Sequence, residues 1–96
     1  MNITTTTEGT KTTIALEGWL DTSTAPEFSA ALSALDPTCE ELVVDFSDLE
    51  YISSAGLRQL VTAHKKMKGN LTICNVSAEI MQVFHLAGFD KRLNII

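Results

Sequence analysis

No apolar run in this 96-residue sequence approaches the roughly 20 residues needed to cross a bilayer. The opening, Met1-Asn2-Ile3-Thr4, lacks a basic patch followed by an apolar stretch, so it does not read as a secretory signal. Positive charge is scarce too: seven Lys and Arg stand against twelve Asp and Glu, a formal net charge of -5 at pH 7. A protein that grips nucleic acid needs a basic face to displace counterions from phosphates, which argues against that class of direct partner. Cys39 and Cys74 are too few for a disulfide framework, and a metal site would want more Cys or His at close spacing. Such cysteines read as small buried apolar residues in a reducing compartment, so a cytoplasmic location is expected. A glycine-rich phosphate loop is missing, which leaves nucleotide binding without a motif.

What remains is ordinary globular composition, 45% hydrophobic and 20% charged, at a length that fits one domain over residues 1–96. The threonine-rich start is β-branched and suits an edge strand. Glu8-Gly9 supplies a turn, so residues 2–7 and 11–18 read as a hairpin, Ile14 and Leu16 alternating with Thr13, Ala15 and Glu17. Thr24-Ala25-Pro26-Glu27 fits a capping box, and Phe28, Ala31, Leu32 and Leu35 follow at helical spacing until Asp36-Pro37.

Leu42 to Phe46 reads as a short strand buried on both faces. After Ser54 a second helix turns Leu57, Leu60, Val61, His64 and Met67 inward. Lys65, Lys66 and Lys68 crowd its last turn, where the helix dipole favours cations, and Gly69-Asn70 stops it. Leu71 to Val76 is the next strand. Ser77 caps a third helix with Ile80, Val83, Phe84 and Ala87 inward, closed by Gly88, and Leu93 to Ile96 is a last strand. Strand–helix–strand steps imply right-handed crossovers and largely parallel pairing, hence an α/β domain with a mixed sheet and an N-terminal hairpin.

The stretch from Asp45 to Leu57 carries the functional signal. A loop is expected to lead from Phe46 to Ser53-Ser54 at the mouth of the second helix, with Ser54 as its N-cap. Gly56 in the first turn costs roughly 0.5–1 kcal/mol relative to alanine, which close approach by another backbone or a partner would justify. A phosphate on Ser54 would face free N–H groups, yet it would add about 1.5–2 negative charges beside Asp48 and Glu50. Plain capping by Ser54 is the competing reading.

In order and spacing these segments resemble the anti-sigma factor antagonists, whose fold is the STAS domain, over nearly the whole chain. Gly18-Trp19-Leu20-Asp21 with Thr24-Ala25-Pro26 is similar to the family's Gly-x-Leu-Asp turn. Val43 to Ser47 and Tyr51 to Leu57 are similar to its strand and phosphoacceptor loop, and Phe84 to Phe89 to the close of its last core helix. The resemblance puts the phosphoacceptor at Ser54. Ser53 stands where the best-known members have an aspartate, a departure that bears on kinase recognition. The resemblance implies partner switching: the bare protein binds an anti-sigma factor that is also a serine kinase and frees a sigma factor. Phosphorylation breaks the complex and a serine phosphatase restores it. Asp21, Thr24, Ser53, Ala55 and Gly56 are then the expected partner contacts, with no cofactor, no membrane insertion, and a monomer or weak dimer.

Two other readings compete. STAS-like domains also serve as constitutive subunits beside transporters or in signalling assemblies, with Ser54 a cap and contact only. A hydrolase would need Ser54 to join His64 or His85, but Ile52-Ser53-Ser54-Ala55-Gly56 is not a nucleophile elbow. Both histidines read as core or boundary residues, and Glu40-Glu41 as solvated charges. No enzymatic activity is expected.

Overall fold

The β-branched opening forms strands β1 (Asn2–Glu8) and β2 (Lys11–Leu20), an antiparallel hairpin whose last pair is Glu8 with Lys11. Gly9 adopts the left-handed φ of +61° that this tight connection requires. Then come α1 (Ala25–Ser33), β3 (Glu41–Ile52), α2 (Ser54–Lys66), β4 (Leu71–Cys74), α3 (Ala78–Ala87) and β5 (Asn94–Ile95). This is a computed structural model, and it describes residues 1–96.

The five strands lie in the order β1-β2-β3-β4-β5, and every pairing after the hairpin is parallel. Right-handed crossovers that always advance in one direction place all the helices on one face. Burial agrees. Ile14, Val44 and Ile73 align across three strands and are fully buried, whereas the adjoining row, Thr13, Val43 and Thr72, is only half-buried. Nineteen residues form a single core between sheet and helices, with Phe28, Phe46 and Phe84 its largest members. The other face of the sheet carries no helix. That corrects the expectation that β3 is buried on both sides: Val43 and Asp45 sit on the open face.

Several local expectations are also revised. β3 does not stop at Phe46 but runs to Ile52, converting the expected loop into strand. β4 ends at Cys74, because Asn75 takes a left-handed φ of +57°. The last strand shrinks to two residues, although Leu93 beside it is buried. The capping box does not form, since Thr24 makes no capping bond to the helix. α1 closes at Ser33, before Asp36-Pro37. On α2 the buried positions are Gly56, Leu57, Leu60 and Ala63, with Met67 buried at its C-cap; Val61 and His64 lie at the boundary. On α3 Ala87 is exposed, and Gly88 closes the helix in a left-handed cap as expected.

Candidate functional site

The C-terminal ends of β2 and β3 lie side by side and build the site. Two register shifts, between Ala15 and Glu17 and between Gly18 and Trp19, let β3 spend extra residues while staying paired to β2 as far as Leu20 with Ile52. Ser53 N then donates to Leu20 O at 2.9 Å, tying the end of β3 to that of β2. The chain turns into α2 at that knot.

Ser53, not Ser54, is the N-cap. Its backbone is extended (φ -102°, ψ 176°), and Ser54 already belongs to the first helical turn. The expected position was one residue late because β3 was expected to end six residues early. Ser53 Oγ is buried and makes no hydrogen bond, so no side chain caps the first-turn N–H groups of α2. Ser54 is exposed and Ala55 half-buried. Gly56 is buried: a Cβ there would lie 2.8 Å from both Ile52 Cγ1 and Leu20 Cγ. The close approach that explains this glycine is therefore to the chain's own core, and Gly56 sets the seat of α2.

On the neighbouring turn Asp21 and Thr24 bind each other. Asp21 Oδ1 accepts from Ser23 Oγ at 2.7 Å, Ser23 N at 2.9 Å and Thr24 N at 3.1 Å. The Ser23 hydroxyl bond, with the Thr24 and Ser23 backbone N–H groups, holds the Asp21 carboxyl below the ordinary carboxylate range against the opposing cost of desolvation. Thr24 Oγ1 accepts from Asp21 N at 2.8 Å and donates to Trp19 O at 2.7 Å. Both residues thus fasten α1 to the end of β2.

The histidines stand elsewhere. Ser54 and His64 occupy opposite ends of α2, about 15 Å apart at 1.5 Å per residue. His85 is exposed, not in the core, and its Nδ1 meets Asp90 Oδ2 at 2.9 Å. No Ser–His pairing is assembled.

Sequence reasoning did not bring Trp19 and Tyr51 together. They are register partners on the open sheet face, 58% and 50% exposed, with ring centroids 6.2 Å apart. Trp19 Nε1 donates to Glu50 Oε2 at 3.1 Å. Tyr51 fell in a segment read as loop, and only strand pairing shows the contact.

The fold and site define a class: a small α/β domain with helices on one sheet face, and an exposed serine opening the helix that follows its longest strand. A family profile described as "Mlab, STAS domain" matches residues 3–96. BtrV of Bordetella bronchiseptica, which carries the name of an anti-sigma factor antagonist, is 33% identical over 78 residues, covering 77% of this chain and 67% of the relative. The crystal structure of an anti-sigma factor antagonist from Mycobacterium paratuberculosis superposes with a TM-score of 0.87 at 23% identity, over 98% of this chain and 83% of that one. The Bacillus cell fate determinant SpoIIAA in its phosphorylated form matches with a TM-score of 0.75 at 17% identity, over 99% and 91%. The two structural likenesses show the fold. With the profile and the curated relative, the chain belongs to the STAS domain family, that of the anti-sigma factor antagonists.

Proposed function

We propose that this chain is an anti-sigma factor antagonist switched by phosphorylation of Ser54. In its bare form it binds an anti-sigma factor that is also an ATP-dependent serine kinase, and so frees a sigma factor. The kinase then modifies Ser54 and the complex dissociates, and a serine phosphatase resets the cycle. The protein acts by docking, not by turnover. The observation that carries this reading is the position of Ser54: exposed, in the first turn of α2, with the capping position taken by Ser53. A kinase can reach such a hydroxyl without disrupting the core. A phosphate there meets uncapped N–H groups and the positive helix end, so the modified protein keeps its fold while its docking face becomes dianionic. BtrV's name and the existence of a phosphorylated SpoIIAA support the reading. Asp21, Thr24, Ser53 and Ala55 frame the face, and Gly56 shapes it from beneath.

Incubation with a cognate anti-sigma kinase and ATP is expected to add one phosphate, mapped to Ser54 by mass spectrometry. In calorimetry Ser54→Ala should bind that kinase like the native chain, and Ser54→Asp roughly tenfold more weakly or worse. Equal affinity of the two variants, or a phosphate found only at another residue, would sink the switch. Recovery of a transporter or a scaffold in place of a kinase from native cells would favour a constitutive subunit.

A further inference from the structure

We infer that the helix-free sheet face, where β2 and β3 end, is a docking surface for an arginine-bearing segment of a partner protein. Trp19 and Tyr51 supply its aromatic contacts, Glu50 and Asp48 its anionic ones. This goes beyond the Ser54 switch, because it requires no modification and uses the opposite face of the sheet from α2.

Exposed aromatics come first. Trp19 and Tyr51 are large rings left more than half or half open on a face that no helix covers. They are not loose, since the rings pack on one another and the Trp19 indole N–H is held by Glu50. Fixed rings lose little freedom when a partner arrives, which favours binding.

Charge says what arrives. In the next row Glu17 and Asp48 lie directly opposite each other across the strands, both exposed. Like charges held close together on one exposed face repel each other. Glu17 is engaged only by the neutral amide of Asn2 at 2.7 Å. The one acid–base side-chain contact of the molecule joins His85 to Asp90, so no Lys or Arg of the chain forms a salt bridge with Glu17, Asp48 or Glu50. An arrangement that costs stability when bare is relieved when a cation covers it. Among protein cations, a guanidinium suits it best: its flat face stacks on an aromatic ring while its fork meets a carboxylate. A nucleic acid or an anionic membrane would be repelled by these carboxylates, and a second copy of the chain would bring the same acidic surplus.

The test titrates the 15N-labelled native chain with the peptide acetyl-Gly-Arg-Gly-Arg-Gly-amide. The control is the same peptide with citrulline, which keeps the shape and removes the charge. The Trp19 indole N–H and the amides of residues 48–51 should shift with the arginine peptide and scarcely with the citrulline one. Glu50→Gln keeps an acceptor for the indole but drops the charge, and should weaken binding about threefold or more. Ser54→Ala should bind like the native chain, so failure here leaves the switch untouched, and failure of the switch leaves this surface standing. Absence of shifts, equal shifts with both peptides, or shifts spread equally over Glu8, Glu40 and Glu41 would each overturn the proposal.

Discussion

Ser53 occupies a capping position without capping. A buried hydroxyl with no partner carries a desolvation penalty of about 1–3 kcal/mol, and a working serine cap would instead contribute about 1 kcal/mol. Ser53→Ala is therefore expected to change stability by less than about 0.5 kcal/mol or to raise it, read from the urea midpoint. A loss of about 1 kcal/mol or more would mean that the hydroxyl caps α2 in solution. Sequence reasoning found the two serines and the glycine but placed the cap one residue late. Capping preference is alike for adjacent serines, and what separates Ser53 from Ser54 is where β3 lets go.

Among the elements, β3 was the least legible. Its core positions are Leu42, Val44, Phe46, Leu49 and Ile52, so the spacing changes from two to three along the strand. Steps of two announce a strand, and steps of three do not. Each longer step coincides with a register shift against β2, where an extra residue is absorbed. The seat of α2 depends on that same strand end, because Gly56 lies against Leu20 and Ile52. Gly56→Ala gains up to about 1 kcal/mol of helix propensity but forces a methyl into two aliphatic side chains, an overpacking cost of about 1–3 kcal/mol. A net loss of roughly 1 kcal/mol is expected in urea unfolding, with α2 displaced from the strand ends. A stabilised variant would refute this account of the glycine.

At the scale of the whole molecule, hydrogen-bonded aspartates set how stability depends on pH. Asp45 is held below the ordinary carboxylate range chiefly by the Asn75 side-chain bond at 3.0 Å, which links β3 to the exit of β4. The Ser23 hydroxyl does the same for Asp21, the Thr38 hydroxyl for Asp36 and the His85 ring for Asp90. A carboxylate whose folded value is depressed binds its proton more readily when unfolded. Its stabilisation is complete above the unfolded value, about 4, and is lost as pH falls through the depressed folded one. The urea midpoint should accordingly stay level from neutral pH to about 5 and drop below about 4. Asp45→Asn should show a shallower drop. A midpoint that rises on acidification would contradict this assignment.

The sequence by itself determined the order of the elements, the hairpin, the parallel crossovers and the serine-bearing segment. These follow from periodicity, turn residues and helix stops, which act over a few neighbouring residues. Tertiary structure alone decided which serine is free, that Gly56 serves the core, and that Trp19 meets Tyr51 beside unpaired carboxylates. Those outcomes rest on the register between β2 and β3, strands separated by a whole helix. Their pairing is fixed by how the core fills, and no local pattern encodes it.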